Sequence, residues 1–200
     1  MINIVVFASG SGTNFQAIID GVENGQIDGQ IRGLITNKSG IQAIERAKNH
    51  DIPQKPLPPS DFSDQAAYID ALLSQLADWN TDLIALAGYM IKIPKEVIQE
   101  FEGRIVNIHP SLLPKYGGKG FYGMNVHRAV IENGETESGC TVHVVTEKYD
   151  DGPILAQTKV PVKDSDDASS LAERVLKEEH KLFPSVIAKL ADQLTDKPQS

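Results

Sequence analysis

The segment INIVVFASGSGTNFQAIIDGV, residues 2–22, decides the fold because it contains a strand, a turn and a helix in direct succession. The continuous apolar run at 2–7 is typical of a strand that is buried on both faces of a parallel sheet. Beyond the Gly/Ser turn, apolar residues recur with the i, i+3, i+4, i+7 spacing of an amphipathic helix, at Phe15, Ile18, Ile19 and Val22. The segment therefore predicts a β–α unit at the start of an α/β domain.

The same alternation of strands and helices continues along the chain. Further buried strands are predicted at IRGLIT (31–36), DLIALA (82–87) and RIVNI (104–108). The pattern changes from Gly139, where CTVHVVT and PILAQTKVPV flank the turn EKYDDG and predict an antiparallel pair. We therefore expect a single-domain, Rossmann-like, three-layer α/β/α fold whose mostly parallel sheet has an antiparallel edge formed by the late hairpin. The domain is predicted to span 1–192, with a polar C-terminal tail at 193–200.

Composition narrows the possible partners and the location of the protein. With 200 residues, 40% of them hydrophobic, the chain can bury one good-sized core. A net charge of −8 argues against nucleic-acid or acidic-membrane partners, since both need a basic face. Cys140 is the one cysteine, so no intramolecular disulfide can form. The start of the sequence lacks a basic leader, and no apolar stretch approaches a membrane span, so we expect a cytoplasmic protein.

The turn ASGSGTNFQ (8–16) is the first candidate for chemistry. Glycines between a strand and a helix allow backbone N–H groups and the helix dipole to face an anion, and Thr13 and Asn14 add donors. A dinucleotide is disfavoured, because Phe15 stands where a third glycine is expected and the next strand ends in Thr36-Asn37 without an acid. We expect a phosphomonoester here. The alternative is an ordinary tight turn in which Thr13 caps the helix.

The second candidate is NIHPSLLPKYGGKGFYG (107–123), which begins at the end of a predicted strand. Asn107 and His109 alternate on the extended backbone, so both should project from one side into the crevice beyond the sheet. An amide donor next to an imidazole can stabilise an oxyanion and transfer protons near neutral pH. Pro110 and Pro114 make the exit from the strand rigid. The alternative is a capped turn in which the backbone satisfies the histidine.

Two carboxylates complete the set of candidates. Asp150, in YDDGP, is a good turn residue; if it reaches His109, it should raise the pKa of the imidazole and orient the ring as a proton donor. Glu179 lies on the apolar stripe that joins Val175 to Phe183, where an acid needs a partner. It could instead bend into water at the rim, or it could approach the phosphate loop and accept a hydrogen bond from a ribose hydroxyl or an amine.

Together, SGSGTN, NIHPSLLPKY and VHVVTEKYDDGPILAQ resemble the phosphoribosylglycinamide formyltransferase family. The resemblance implies that formyl passes from 10-formyltetrahydrofolate, as co-substrate, to the amino group of glycinamide ribonucleotide, with no tightly bound cofactor and no metal. It implies Asn107, His109 and Asp150 as catalytic residues, and a ribonucleotide site at Gly12, Thr13, Asn14 and Glu179. Besides Asn107 and Asp150, it implies a folate pocket formed by Met90, Ile91, Lys92, Ile93, Thr146, Glu147, Lys148 and Tyr149.

The chain also departs from the family pattern. It inserts a glycine-rich segment at 117–125, which is either a flap beside the site or a longer solvent loop. Gln65 stands where some relatives have an arginine near the folate tail, and Leu176 stands where some have a glutamine near the phosphate.

Three alternative functions remain at this point. Methionyl-tRNA formyltransferase carries an additional C-terminal barrel, and formyltetrahydrofolate hydrolase an additional N-terminal regulatory domain, so the length of the chain disfavours both. A non-catalytic phosphate- or nucleotide-binding module would use SGSGTN alone, and Asn107, His109 and Asp150 would then be incidental.

Overall fold

The computed structural model describes residues 1–195, which form one seven-stranded sheet with helices on both faces. The strands are β1 (Ile2–Ala8), β2 (Gly29–Thr36), β3 (Gln54–Pro56), β4 (Leu83–Leu86), β5 (Ile105–His109), β6 (Glu137–Val144) and β7 (Ile154–Pro161). The helices are α1 (Thr13–Glu23), α2 (Gln42–Asn49), α3 (Gln65–Asp78), α4 (Lys95–Glu100), α5 (Met124–Glu132) and α6 (Ala168–Thr195), and a 3₁₀ helix spans Pro59–Asp61.

The order of the strands across the sheet is β3-β2-β1-β4-β5-β6-β7. The first five of these run parallel, whereas β6 is antiparallel to β5 and β7 is antiparallel to β6. This confirms the predicted fold class, including the antiparallel edge. The chain moves outward from β1 in both directions, so the order reverses between β1 and β4. Ligands of open α/β sheets bind beyond the carboxyl ends of the strands at such a point.

The alternation of side chains along β1 explains the three layers. Ile4 and Val6 project into a core shared with Phe15 of α1 and with α6. Val5 and Phe7 project into a second core on the opposite face, which includes Leu72 of α3 and residues of α4. All four β1 side chains are fully buried, as expected for a central strand that helices cover on both faces.

Helix α6 continues through Thr195, whose hydroxyl donates to the carbonyl of Ala191 at 2.8 Å. Residues 193–195 of the predicted polar tail are therefore helical, and residues 196–200 lie outside the described part of the chain. Across residues 1–195, the structure contains no helix with the length and apolar character that crossing a membrane requires.

Candidate active site

A cleft of about 840 Å³ opens beyond the carboxyl ends of β1, β4 and β5, at the reversal of strand order. Its floor includes Leu86 at the end of β4 and Asn107 and His109 at the end of β5. Its walls come from the loop after β1, the loop after β4, the glycine-rich segment before α5, the β6–β7 turn and the first turns of α6. The fold therefore brings together residues that are distant in sequence, such as Asn14 and Glu179, which are 165 positions apart.

Asn107 is oriented by a neighbour that sequence reasoning missed. Its Nδ2 lies 3.1 Å from Nε2 of His143, and Nδ1 of His143 lies 2.9 Å from the carbonyl oxygen of Val144. In a neutral ring whose Nδ1–H donates to that carbonyl, Nε2 is the acceptor for the amide of Asn107. Because an amide nitrogen carries two protons, one N–H of Asn107 remains available to a ligand in the cleft.

His109 is only 5% exposed, and both ring nitrogens have defined neighbours. Nε2 lies 2.8 Å from the carbonyl oxygen of Tyr116, and Nδ1 lies 3.7 Å from Oδ2 of Asp150. Asp150 lies close to His109 as predicted, and its charge raises the pKa of the imidazole as expected, but the net shift of the His109 pKa is downward. Burial lowers the pKa of His109 below its ordinary value, and it outweighs the opposite effects of the Asp150 charge and the Tyr116 carbonyl. The ring is therefore mainly neutral at neutral pH.

Asp150 connects the β6–β7 turn to both histidines. Its backbone has a φ of 52°, in the left-handed region. Oδ2 accepts a hydrogen bond from the Gly118 N–H at 2.8 Å, and Oδ1 lies 3.5 Å from Nε2 of His143. Burial opposes ionisation of this carboxyl, but His143 and His109, when either ring carries its second proton, and the Gly118 N–H together hold its pKa below the ordinary value. Asp150 is thus a carboxylate that faces two imidazoles.

The loop after β1 presents Ser11, Thr13 and Asn14 to the cleft. Gly12 occupies the N-cap position of α1 with a φ of 70°, and no side chain among residues 1–195 caps the helix. The alternative that Thr13 acts as the cap is therefore not observed. A Cβ on Gly12 would lie 2.7 Å from that of Ala43 in α2, so close packing requires glycine here as well.

Glu179 lies at the same end of the cleft and is 6% exposed. Its Oε2 accepts a hydrogen bond from Nδ2 of Asn14 at 2.6 Å. Burial raises the pKa of this carboxyl, although the bond from Asn14 acts in the opposite direction. The sequence-based alternative of a rim position in water is wrong, because α6 packs this residue against α1.

The opposite end of the cleft is lined by most of the residues predicted for a folate pocket. They are Met90, Ile91, Lys92, Ile93, Thr146, Lys148 and Tyr149. Nζ of Lys92 lies 5.5 Å from the centroid of the Tyr149 ring, so the two loops meet across the mouth. Of the residues that the structure describes, Gly12 and Glu147 are the predicted binding residues that do not line the cleft. Gln65 does not line it either, whereas Leu176 does.

The glycine-rich insertion forms a wall of the site. Residues 118–124 line the cleft, and Gly118 donates its N–H to Asp150. The segment 117–125 therefore lies beside the site, and its movement as a flap stays a prediction. His127, at the end of this wall in α5, also lines the cleft and is 4% exposed. Burial lowers its pKa to about 4.

Gly152 allows the turn that carries Asp150 to pack closely. A Cβ at this position would lie 1.8 Å from the carbonyl oxygen of Val144. We expect Gly152→Ala to lower the free energy of unfolding by about 1–3 kcal/mol, because the hairpin must shift to relieve the overlap. Thermal unfolding of the variant and the wild type measures this loss of stability. Gly10→Ala is the matched control, since a Cβ there has no neighbour within 4 Å among the described residues. Equal melting temperatures for the two variants would contradict the prediction.

Known proteins share the sequence and the fold of this chain. The formyl transferase family model matches residues 2–187. The phosphoribosylglycinamide formyltransferase of Escherichia coli (strain K12) is 40% identical over 190 residues, which cover 95% of this chain and 87% of that protein. The chloroplastic phosphoribosylglycinamide formyltransferase of Vigna unguiculata is 44% identical over 95% of the chain, and the chain spans 61% of its length.

Among solved structures, glycinamide ribonucleotide transformylase 1 from Symbiobacterium toebii superposes with a TM-score of 0.90. It is 38% identical, and the match covers 96% of this chain and 89% of that one. The family match, the identity over nearly the whole chain and the shared fold confirm the resemblance that the motifs indicated. The chain belongs to the formyl transferase family, together with the phosphoribosylglycinamide formyltransferases.

Proposed function

We propose that the protein transfers a formyl group from 10-formyltetrahydrofolate to the amino group of glycinamide ribonucleotide. The observation that carries this proposal is the convergence of Asn107, His109 and Asp150 in the middle of one cleft. Relatives carry the name phosphoribosylglycinamide formyltransferase, which states the same acceptor and the same transferred group. The two ends of the cleft differ as the two substrates do, with an uncapped helix N-terminus at one end and Met90 to Ile93 at the other.

The protonation state of His109 suggests the order of proton transfers. Nε2–H is donated to the Tyr116 carbonyl, so the lone pair of the neutral ring is on Nδ1, next to Asp150. As the substrate amine attacks the formyl carbon, Nδ1 accepts the proton that the nitrogen loses. The imidazolium that forms is stabilised by the Asp150 carboxylate. It then returns the proton to the folate nitrogen as the bond from that nitrogen to carbon breaks.

Asn107 acts on the oxygen of the tetrahedral intermediate. The attack makes a carbon–nitrogen bond and moves the carbonyl electrons onto oxygen, where the free N–H of Asn107 can donate to the oxyanion. His143 holds the amide by its other N–H, which fixes the direction of the donor before the substrate arrives. A donor that is oriented in advance needs no reorganisation during the reaction.

The ribonucleotide is assigned to the end of the cleft formed by α1 and α6. Its phosphate is bound by N–H groups in the first turn of α1 together with Thr13 and Asn14, because those N–H groups have no capping side chain in the described structure. The Glu179 carboxylate would repel a phosphate but accepts hydrogen bonds from hydroxyl or amino groups, so we assign it to the ribose or glycinamide part. Gly12 does not line the cleft itself, and it contributes to this site through the left-handed backbone with which it begins α1.

The folate is assigned to the opposite end, between Met90 to Ile93 and the turn from Thr146 to Asp150. The backbone N–H of Met90 donates to Oγ of Ser9 at 2.9 Å, which ties this wall to the end of β1. The described residues contain no group of three or more His, Cys, Asp or Glu side chains placed to hold a metal ion. The reaction above needs only the two substrates. A cytoplasmic location stays a prediction from the sequence.

One assay separates the candidate functions. The protein is incubated with 10-formyltetrahydrofolate and glycinamide ribonucleotide, and deformylated folate is followed spectroscopically. We expect its release to depend on glycinamide ribonucleotide. Release without that substrate would identify a hydrolase, and release only with methionyl-tRNA would identify the tRNA enzyme. No release, accompanied by binding of the ribonucleotide, would identify a binding module. Each of these outcomes would overturn the proposal.

Asp150→Asn tests the electrostatic role of the carboxylate. The negative charge raises the pKa of His109, so its removal should move the kinetic pKa assigned to His109 to lower pH. Turnover should fall about tenfold, because the imidazolium intermediate loses its counter-charge. The pH dependence of kcat measures both effects. A kcat profile that coincides with that of the wild type would exclude the pairing of Asp150 with His109.

A further inference from the structure

Tyr116 has a backbone conformation that its residue type disfavours. It is a non-glycine residue with a φ of 55°, in the left-handed region. Its carbonyl oxygen lies 2.8 Å from Nε2 of His109. A side chain in this region persists when the surroundings hold it there, and such residues cluster at functional sites.

The ring of Tyr116 is held from outside the cleft. Its hydroxyl donates to Oε1 of Glu135 at 3.0 Å, and Nζ of Lys115 lies 2.9 and 3.1 Å from the two oxygens of the same carboxylate. Oγ of Ser111 donates to the Lys115 carbonyl at 2.7 Å, which fixes the preceding peptide. The Phe121 ring contacts the Tyr116 ring edge-on, with centroids 5.8 Å apart. Glu135 lies outside the lining of the cleft in the described structure.

We propose that Glu135 and Tyr116 form a brace that positions His109 for proton transfer. Glu135 anchors the Tyr116 ring, the anchored ring holds the Tyr116 carbonyl against Nε2, and Nδ1 is left facing Asp150 as the nitrogen that exchanges the proton. Neither brace residue touches a reacting atom in this scheme, so both are positioning residues. The kinetic part of the inference rests on the proposed function, whereas the effect on the imidazole tautomer does not.

The ionisable groups around His109 come from three elements. Asp150 faces it from the β6–β7 turn, His143 from β6 and His127 from α5. Beyond the lowering by burial, the carboxylate raises the pKa of His109 and His143 lowers it, while His109 lowers the pKa of His127. The carbonyl of Tyr116 also raises that pKa. A brace variant leaves the three ionisable groups unchanged, so a change in the titration of His109 reports on the carbonyl.

The test uses Tyr116→Phe, which removes the hydroxyl and keeps the ring, and Glu135→Ala, which removes the anchor. Glu137→Ala is the matched control, because Glu137 accepts from Lys159 at 2.9 Å on the neighbouring strand and does not contact Tyr116. Nitrogen-15 NMR of the imidazole reports the tautomer of His109 in the free protein. We expect one tautomer, protonated on Nε2, in the wild type and in the control, and a mixture in both brace variants.

Kinetics provide the second measurement. In the brace variants, kcat should fall roughly five- to twentyfold, while KM for both substrates stays within about twofold. The expected loss in kcat is smaller than the full contribution of a general base, because His109 is still present. The kinetic pKa of His109 should move to lower pH. A single Nε2–H tautomer with unchanged kcat in Glu135→Ala would overturn the brace, even if Tyr116→Phe failed to fold. If the brace variants lose the tautomer preference and the wild-type protein transfers no formyl group, the proposed function is overturned and the brace is supported.

Discussion

His109→Ala is expected to keep the fold and to lose turnover by a factor on the order of a thousand, within the usual contribution of a general acid–base residue. The side chain lines the cleft and bonds to the Tyr116 carbonyl, so its removal takes away the proton acceptor near the reacting atoms. Steady-state kinetics with both substrates measure the loss of turnover, and circular dichroism checks the fold. KM should change much less than kcat, because the proton is transferred in the transition state.

Asn107→Ala should lower turnover by about a hundredfold or more, the usual effect of removing one oxyanion donor. The loss is again expected in kcat, since the oxyanion exists only after attack. Asn107→Ala also leaves Nε2 of His143 without its amide partner, so His143→Ala serves as a comparison. If either the His109 or the Asn107 variant turned over at nearly the wild-type rate, that residue would have no place in the mechanism.

Part of the site could be predicted because the alternation of side chains between the two faces of a strand depends only on neighbouring residues. Asn107 and His109 lie two positions apart at the end of β5, so their shared direction follows from the sequence. The location of the cleft followed from strand–helix alternation together with the rule for open α/β sheets. The rim position considered for Glu179 was wrong because it depends on how α6 packs against α1, which helical periodicity does not specify.

His143 was missed for a different reason. It is the register partner of Asn107 in the antiparallel β5–β6 pair, and that register joins segments 36 residues apart. Alternation within TVHVV cannot show which residue of β5 lies opposite. The net direction of the His109 pKa shift could not be predicted for a similar reason. The upward effect of the Asp150 charge could be inferred from the sequence, but the extent of burial, which outweighs it, could not. The carbonyl of Tyr116 is a backbone group, so no residue type marks its role.

Glu179→Gln is expected to weaken binding of glycinamide ribonucleotide and to leave the fold at least as stable as the wild type at neutral pH. A hydrogen bond to a charged group contributes about 1.5–3 kcal/mol, so the dissociation constant should rise roughly ten- to a hundredfold. The side chain is within hydrogen-bonding distance of Asn14 at the end of the cleft opposite the proposed folate pocket. Isothermal titration should therefore show little change for a folate analogue.

The stability of this variant follows from the direction of the pKa shift. Burial raises the pKa of Glu179 in the folded protein, so the folded state binds this proton more tightly than the unfolded chain does. Wild-type stability should accordingly decrease as the pH rises from the ordinary glutamate pKa through the raised value. The neutral glutamine avoids this cost, so its advantage in melting temperature should be present at neutral pH and vanish in acid.

Glu178→Gln is the control, since Glu178 pairs with Lys181 at 2.8 Å and is partly exposed. Equal losses of affinity for both substrates, or none for either, would remove Glu179 from the ribonucleotide site. A lower melting temperature for Glu179→Gln at neutral pH would instead show that the Asn14–Glu179 bond stabilises the fold by more than the burial of the charge costs.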